Sequence, residues 1–500
     1  MVKSDPMPRT GFEKVRSGCI TCKIRKVKCD EAQPNCLRCR TSGRICGGYR
    51  APPLGSFSWT DLLKVRPSTI PSSAPSCTES RSLDFFRCIV APALSSPLGN
   101  SFWTGPVFQL AIQEPATRHA VLAISSLYEQ LGSFSYNSAM SGQHGIAVRY
   151  YNKALRQVAT SAHLDTDTVL LMSILFTCVE FLRGDAIAAI EHCRYGIYIA
   201  RSTGQASTDI FAILRHLSIF PFFFGATLAD FPLLPDPEHP SHQIHDLSQA
   251  AETLDCLMSR SVRLVRAFDP FRLGTVDMAG LPSELTLTQN RLCRDLDAWY
   301  TSFTTFTRGF ESNDQNRSVL SMIEMRWHVC RVWVNIASYQ DETLCDEYRS
   351  QFERIVALAR EDAIYRGLSA SAKPSIFKFE MASLPLLHFV ILKCRFLQVR
   401  LEAESLWDAT LMYAIGRRIT EREHAIELLP ERGLEHTQLD YTLPSDSQRI
   451  RDSVLEDEIQ FHVEYGSMRM KRRRIAFFIP HDIQGQVKIS RDWIHLPEEY

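Results

Sequence analysis

Apolar residues recur at helical spacing along most of the chain, from about residue 83 to residue 432. In Tyr150–Val158 they lie three and four positions apart, the spacing that places them on one face of a helix. From Val169 to Val179 nearly every position is apolar, so this helix is expected to be buried on all sides. The pattern predicts a mainly all-α domain over residues 83–432.

Cap residues mark the ends of two of these helices. Asp165-Thr166-Asp167 precedes the apolar run as a predicted N-cap segment, and Gly184 is suited to end the helix. Asp185 is placed to cap the next helix, Ala186–Ala200, so the two helices should form a hairpin with a tight turn. The same reasoning places further helices near 250–268, 284–306, 317–338, 346–365, 376–402 and 408–429.

The last part of the chain has a different pattern. Ile475–Ile479 and Val487–Ser490 flank a turn-like sequence, which predicts two short strands. Residues 433–500 are therefore expected to contain a loop, a helix and a terminal β-hairpin. A basic run before the first strand is interpreted either as a nuclear localisation signal or as a solvated strand face or phosphate-contacting edge. It consists of Arg469, Lys471, Arg472, Arg473 and Arg474.

Two polar segments complete the domain organisation. Residues 1–15 are predicted to be a disordered arm, and residues 51–82 are rich in Pro and Ser, as expected of a linker that cannot bury a core. No apolar a/d repeat continues over three heptads there, so a parallel coiled-coil dimer is not predicted. Monomeric binding and a homodimer formed through the helical domain both stay open.

The first residues lack the apolar segment of a secretory signal, and the longest apolar run is too short to span a bilayer and includes Glu180. We therefore expect an intracellular protein with no membrane partner.

Six cysteines between residues 16 and 50 form a repeated pattern. The gaps between them are two, six, six, two and six residues, so Cys-x2-Cys-x6-Cys occurs twice with a displacement of 17 positions. In a chain without export signals, thiolates at such spacing indicate a metal site, and zinc is the expected ion. The six residues are Cys19, Cys22, Cys29, Cys36, Cys39 and Cys46.

Six cysteines can hold two zinc ions if two sulfurs bridge both metals, because each tetrahedral ion needs four ligands. The repeat requires the bridging cysteines to be equivalent in its two copies. Three bridging pairs satisfy this symmetry, and spacing does not choose among them: Cys19 with Cys36, Cys22 with Cys39, or Cys29 with Cys46.

Nine further cysteines have no such spacing, and most of them are expected to be buried as small apolar side chains.

The six cysteines, the basic segment between Cys22 and Cys29, and Pro34 in the loop between the copies resemble the fungal zinc binuclear cluster family of transcription factors. The resemblance implies a small DNA-binding domain over residues 16–50 that holds two zinc ions. A redox or metal-storage cluster would not explain the basic residues interleaved with the ligands. In the implied assignment two cysteines bridge and the other four complete the sites: Cys19 and Cys36 as bridges, Cys22 and Cys29 on one ion, Cys39 and Cys46 on the other.

Charge separates this domain from the rest of the chain. The formal net charge is zero, but residues 1–50 carry twelve Lys or Arg and four Asp or Glu, a balance of +8 that the remainder offsets. Two zinc ions with six thiolates lower this balance to about +6. A small basic domain on an acidic chain indicates a polyanion partner, and double-stranded DNA is predicted.

The first copy of the repeat is the predicted DNA-contacting half. A short helix after Cys22 would bring its bases to the major groove, where Lys or Arg donates to guanine O6 and N7. The resemblance implies a CGG-type triplet, with Lys26 as base contact beside Arg25, while Ile24 and Val27 are expected to pack the helix against the cluster. The alternative is that all these bases contact phosphate only. Phosphate contacts are predicted for Lys23, Lys28 and Arg16.

The helical domain resembles, less specifically, the regulatory region that follows such clusters in many fungal regulators. Glu180, Arg183 and His192 are candidates for binding a small-molecule effector, and the alternative is a buried ion pair with a core histidine. The residues that carry the likeness are Phe102-Trp103, Pro115, His119–Ala123, Tyr151–Leu155, Glu180–Asp185, His192 and Gly196.

These observations predict a nuclear, sequence-specific DNA-binding regulator of RNA polymerase II transcription, with the transcription machinery as a further partner. The resemblance favours an activator, and repression or ligand sensing by the helical domain are the alternatives. An enzyme fused to a zinc module is the remaining hypothesis. The chain lacks His-Glu-x-x-His, Gly-x-Ser-x-Gly and Gly-x4-Gly-Lys motifs, so no enzyme activity is expected.

Overall fold

The chain divides into two compact units, Met1–Ile70 and Pro71–Tyr500, named here the head and the body. Arg16, Pro34, the predicted arm and most of the predicted linker lie outside the described residues. A computed structural model describes residues 18–30, 32, 35–48, 77–95, 102–132, 140–161, 164–204, 208–223, 228, 231–235, 244–310, 314–368, 383–406, 411–428, 442–465, 468–481 and 486–497.

The described part of the head contains two short helices that each begin after a cysteine. Helix α1 spans Ile20–Ile24 and helix α2 spans Leu37–Thr41, and their N-cap residues are Cys19 and Cys36. The buried cluster of the head consists of cysteines. A small domain whose described residues form no aliphatic core needs another source of folding energy, and metal binding supplies it in such domains.

Helices dominate the described part of the body, and many consecutive helices pack as neighbours, such as α6 with α7 and α8 with α9. Two π-helical segments, Phe86–Val90 and Trp103–Val107, lie directly before α4 and α5, respectively. The α-helices of the body are α3 Cys77–Phe85, α4 Ala91–Leu94, α5 Phe108–Gln113, α6 Pro115–Gly132, α7 Met140–Thr160, α8 Thr166–Arg183, α9 Ala186–Thr203, α10 Thr208–Phe223, α11 Leu247–Arg272, α12 Ser283–Arg308, α13 Asp314–Ile336, α14 Arg349–Leu368, α15 Ser383–Lys393, α16 Leu397–Ser405 and α17 Leu411–His424.

The predicted hairpin of α8 and α9 is present with its predicted caps. Asp165 accepts from the backbone N–H of Thr168 at 2.8 Å, and Gly184 ends α8 with a φ of 79°. Asp185 accepts from the N–H of Ala188 at 3.0 Å and caps α9. Helix α8 is buried over most of its length, as its apolar sequence predicts.

Two predicted boundaries differ from the structure. Helix α3 begins at Cys77, within the segment predicted to be a linker. The single helix predicted over 376–402 is instead α15 followed by α16, with 376–382 outside the described residues. Arg395 Nη1 donates to the carbonyl of Lys393 at 2.7 Å, so a side chain satisfies the end of α15 and the chain turns there.

The end of the chain forms a three-stranded antiparallel sheet in the order β1-β2-β3, where the sequence predicted a two-stranded hairpin. Strand β1 spans Asp452–Tyr465, β2 spans Met468–His481 and β3 spans Gln486–Pro497. The predicted strands lie within β2 and β3, and β1 was missed because its sequence is rich in acidic residues that seldom favour strands. Over the described residues 442–497 a 3₁₀ turn, Asp446–Gln448, is present but not the predicted helix.

Ion pairs between strands explain why β1 forms. Arg474 of β2 contacts Glu456 at 3.2 Å and also pairs with Glu458, both in β1. Arg472 donates to Gln460 at 2.8 Å. The basic run therefore forms part of a strand whose arginines contact polar groups of the neighbouring strand.

The sheet packs on the helices through one apolar cluster. Ile475 and Phe477 of β2 and Ile494 of β3 are buried against Ile415 and Ile419 of α17. Polar contacts reinforce this packing at the edge of the cluster, where Asp492 of β3 accepts from two arginines of α17. These are Arg418 at 2.9 Å and Arg422 at 3.3 Å.

Candidate metal centre and nucleic-acid interface

The two Cys-x2-Cys segments of the head have the same local structure. Cys19 Sγ accepts from the N–H of Cys22 at 3.4 Å, and Cys36 Sγ accepts from the N–H of Cys39 at 3.3 Å. Each first cysteine thus caps the helical turn that carries the second. The turn brings both sulfurs of a segment to one side, as a metal site requires.

The sulfurs of these four cysteines form a compact group. Cys19 Sγ lies 3.6 Å from Cys36 Sγ and 3.8 Å from Cys39 Sγ. Cys22 Sγ lies 3.7 Å from Cys36 Sγ and 3.8 Å from Cys39 Sγ. For a Zn–S bond of about 2.3 Å, the sulfurs of a tetrahedral site lie about 3.8 Å apart. The observed separations match those of four sulfurs around one zinc ion.

The remaining two cysteines extend this group on either side. Cys29 Sγ accepts from the N–H of Cys19 at 3.4 Å, and Cys29, Asp30 and Cys36 have donor atoms within 4.8 Å of one another. The thiol of Cys46 contacts Cys19 and Cys36. Cys36 therefore lies close to sulfurs of both copies of the repeat.

The surroundings of the thiols shift their pKa values in different directions. Burial raises the pKa of Cys19 to about 12, and it shifts the pKa of Cys36 further in the same direction. In Cys46 the pKa is lowered, because the N–H groups of Cys36 and Gly48 donate to its sulfur. Zinc binds thiolates, so its binding displaces the protons that burial would otherwise retain.

The two halves of the head are joined by reciprocal hydrogen bonds. Asp30 of the first half accepts from the N–H groups of Leu37 and Arg38, at 2.8 and 3.1 Å, at the start of α2. In return, the carbonyl of Gly48 accepts from the N–H of Ile20 at 2.9 Å, at the start of α1. These contacts satisfy N–H groups that a helix start leaves free and fix the two halves to each other.

The chain leaves α1 through a left-handed residue. Lys26 has a φ of 55°, its N–H donates to the carbonyl of Lys23 at 3.1 Å, and the N–H of Val27 donates to the carbonyl of Cys22 at 3.1 Å. This pair of bonds is a Schellman motif, and α2 ends in the same way with Gly43 at a φ of 62°. The motif turns the backbone out of the helix at Lys26.

Two family models match the chain. The fungal Zn(2)-Cys(6) binuclear cluster domain matches residues 17–56, and the fungal specific transcription factor domain matches residues 81–339, more than half of the chain. The chain belongs to the fungal specific transcription factors. A zinc cluster domain of this family binds two zinc ions, and the group Cys19, Cys22, Cys36 and Cys39 is arranged to hold metal.

Curated relatives of this fungal transcription factor are similar at low identity. The "Aspercryptin biosynthesis cluster-specific transcription regulator atnN" of Emericella nidulans is 25% identical over 58% of the chain and 54% of its own length. The "Transcription regulator lscL" of Purpureocillium lilacinum is 28% identical over 36% and 48%, respectively. The "Zn(2)-C6 fungal-type transcription factor afumD" of Aspergillus fumigatus is 26% identical over 42% and 58%. The chain spans about half the length of these relatives. No solved structure matches it.

The predicted DNA contacts of this family member differ in accessibility. Lys23, Lys26 and Lys28 are exposed, whereas Arg25 is half-buried and donates from Nη1 to Ser42 Oγ at 3.1 Å. Ser42 follows α2, so Arg25 connects the ends of the two helices. The cysteine pattern does not indicate this contact, although Arg25 and Ser42 are equivalent positions of the repeat.

The expected packing of Ile24 and Val27 against the cluster is wrong. Ile24 is 77% exposed and Val27 is 38% exposed. Cysteine sulfurs and the backbone fill the interior of this small domain, so these apolar side chains have no core to enter. They lie instead on the surface that carries the lysines.

The effector candidates of the body are engaged with one another. Arg183 Nη1 donates to both carboxylate oxygens of Glu180, at 2.8 and 2.7 Å. Tyr151 and His192 share a hydrogen bond of 2.8 Å between Oη and Nε2. The ion pair of the alternative is therefore present, although Arg183 is exposed and His192 is half-buried rather than in the core.

Most of the nine other cysteines are buried, as predicted. Cys77 and Cys88 are exposed and Cys293 is half-buried, whereas the other six lie in the interior of the body. None of the described helices is long and apolar enough to cross a membrane.

Proposed function

We propose that the protein is a nuclear, sequence-specific DNA-binding regulator that acts on RNA polymerase II genes. The observation that carries this proposal is the grouping of four sulfurs at tetrahedral separations beside a turn of exposed lysines. Zinc would stabilise that turn, and the lysines would meet the phosphates and bases of DNA. Membership of a transcription factor family supports the same function.

Within the cluster, we propose Cys19 and Cys36 as the bridging ligands. The tight group contains two symmetric pairs, because Cys22 and Cys39 are also close to each other. Contacts of Cys46 with both Cys19 and Cys36 favour the first pair, as does the position of Cys29 near Cys36. The four remaining cysteines then divide between two ions: Cys22 and Cys29 on one, Cys39 and Cys46 on the other.

For DNA, we propose a CGG-type triplet that Lys26 contacts in the major groove. Its exposed side chain follows the end of α1, and Lys23 and Lys28 flank it as phosphate contacts. Arg16, outside the described residues, is proposed as a further phosphate contact. The contact with Ser42 gives Arg25 a positioning role, because it holds the two helix ends together.

Binding of the zinc-loaded full chain to labelled duplexes tests this function. Duplexes with a CGG triplet should bind more tightly than duplexes with the triplet scrambled, and chelation should abolish the difference. Binding should weaken with salt, with a slope of about −0.9 per phosphate neutralised. Equal affinity for both duplexes at all salt concentrations would contradict sequence-specific recognition.

Activation of a biosynthetic gene cluster is proposed as the regulatory role, since one relative is named for such a cluster. Genome-wide mapping of bound sites checks the control of a gene cluster, and transcript levels in a deletion strain check activation. Bound promoters should lie in one cluster, and their transcripts should fall on deletion. Transcripts that rise on deletion would instead identify a repressor.

A further inference from the structure

Helix α1 of the head ends in an apolar side chain that lies on the surface. Ile24, the last residue of α1, is 77% exposed, and in the sequence it stands between the exposed residues Lys23 and Lys26. Val27 is less exposed and follows the left-handed turn at Lys26. Single exposed isoleucines are common on protein surfaces and indicate no function by themselves. The position of Ile24, two residues before the proposed base contact, is what gives its exposure a meaning.

The second half of the head shows that the fold does not require an apolar residue at this position. Thr41 is the equivalent of Ile24, 17 residues later, and it is likewise the last residue of its helix, α2. Its hydroxyl donates to the carbonyl of Leu37 at 2.9 Å, within the same helix. A polar side chain therefore suits the end of this helical turn, and packing does not explain the isoleucine of the first half.

Chain geometry places Ile24 within reach of base pairs close to the one that Lys26 is proposed to contact. Successive Cα atoms lie about 3.8 Å apart, so the Cα atoms of Ile24 and Lys26 are at most about 7.6 Å apart. Stacked base pairs lie about 3.4 Å apart along the duplex. A side chain two residues from a base contact therefore meets base pairs within about two steps of that contact.

An apolar side chain has a distinctive partner in the major groove. Thymine carries a C5-methyl group there, whereas the other base edges offer hydrogen-bond donors and acceptors that isoleucine cannot pair with. A CGG triplet contains only G·C pairs, so a thymine contacted by Ile24 must lie beside the triplet. The exposed side chains of Lys23, Lys26 and Lys28 around Ile24 favour a polyanion over a protein as the partner of this surface.

We propose that Ile24 contacts the methyl group of a thymine beside the CGG triplet, within about two base pairs of the base that Lys26 contacts. This inference rests on the proposed function, because it takes the end of α1 to lie in the major groove. Lys26 then selects a guanine by hydrogen bonding, and Ile24 selects a neighbouring A·T pair by an apolar contact. Burial of one methyl group corresponds to about a fourfold change in affinity.

Replacement of thymine by deoxyuridine tests this contact on the native chain, because it removes the methyl group and keeps the base pairing. The duplexes carry CGG between flanks of two A·T pairs in either orientation, and each flanking thymine is replaced in turn. The zinc-loaded full chain should bind at least one substituted duplex about fourfold more weakly. Equal affinity for all of them, in a chain that prefers CGG to a scrambled triplet, would overturn the contact alone. A chain without any preference for CGG would contradict the proposed function and the contact with it.

Variants assign the effect to Ile24. In Ile24→Ser, loss of the same methyl group should no longer change the affinity, while the preference for CGG and both zinc ions are retained. Ile24→Ala takes its place if the serine variant loses zinc. Ile45→Ser is the matched control, because Ile45 is an even more exposed isoleucine in the second half, and it should keep the dependence on the methyl group. Dependence that persists without the Ile24 side chain, or that is lost in Ile45→Ser, would overturn the assignment.

Discussion

Lys26 and Gly43 occupy equivalent positions in the two halves of the head, and both have a left-handed backbone, with φ of 55° and 62°. Glycine adopts this conformation without cost, whereas a residue with a Cβ loses about 1 kcal/mol. The first half therefore keeps a lysine where the second half has the residue that fits best. Such strain is typical of positions where the side chain has a function.

Replacing Lys26 by glycine should separate stability from recognition. Lys26→Gly should stabilise the zinc-loaded head by about 1 kcal/mol, because the left-handed position no longer carries a Cβ. The same change should remove about 1 to 3 kcal/mol of discrimination at one base pair. Zinc release in urea measures the first effect, and competition between duplexes measures the second. Gly43→Lys is the control, with lower stability and unchanged base preference, and a uniform loss of affinity in Lys26→Gly would make Lys26 a phosphate contact.

Zinc stoichiometry should distinguish bridging from terminal cysteines. Cys36→Ala should lose both ions, because a bridging sulfur belongs to both tetrahedra, whereas Cys46→Ala should retain one. Metal analysis of the purified full chain gives the number of ions, with the buried body residue Cys178→Ala as a control that keeps two. If Cys22→Ala loses both ions while Cys36→Ala keeps one, the bridges are Cys22 and Cys39.

Replacing the carboxylate of Glu342 should lower the stability of the body strongly. Burial alone would raise the pKa of Glu342, but Lys393 and Arg395 lower it well below its usual range. Glu342→Gln leaves these cations without their carboxylate and should cost about 3 to 5 kcal/mol of unfolding free energy. Urea unfolding measures this loss. Glu353→Gln breaks an exposed pair with Arg349 and should cost less than about 1 kcal/mol, so equal losses in both variants would contradict the account.

His388 should make stability depend on pH. Burial lowers its pKa from 6.5 to about 4, despite the opposing charge of Asp452. Between these values the unfolded chain binds a proton that the folded chain does not, so stability falls as pH decreases from about 6.5 towards 4. His388→Gln should remove on the order of 3 kcal/mol of the stability lost between pH 6.5 and pH 4, measured by thermal or urea unfolding. The exposed residue His245, changed to Gln, should leave the slope intact; an unchanged slope in His388→Gln would rule out His388 as its source.

Local signals allowed much of the fold to be predicted. The apolar run of α8, its Asp165 cap and the turn at Gly184 are determined by residues close in sequence, and the structure has them where expected. Strand β1 was missed because Glu456 and Glu458 are stabilised by Arg474, a residue of the next strand. The sequence pattern of β1 itself does not reveal this partner. Long-range ion pairs of this kind override local propensity.

The candidate metal site, like the fold, could be predicted only in part from the sequence. Cysteine spacing was sufficient to predict the metal and its ligand types, since sulfur chemistry and the tetrahedron restrict the choices. The contact of Arg25 with Ser42 and the exposure of Ile24 depend on how the two halves pack, and spacing carries no information on that. The buried charges around Glu342 come from distant segments and have no sequence signature.

Selection of duplexes from a random library by the zinc-loaded full chain tests the central claim most directly. The native chain should enrich a CGG triplet, and Lys26→Ala should lose the preference at one of its base pairs while still binding DNA. Lys28→Ala should reduce the yield of bound duplexes without altering the enriched sequence, as expected of a phosphate contact. Failure of the native chain to enrich any triplet would contradict the account.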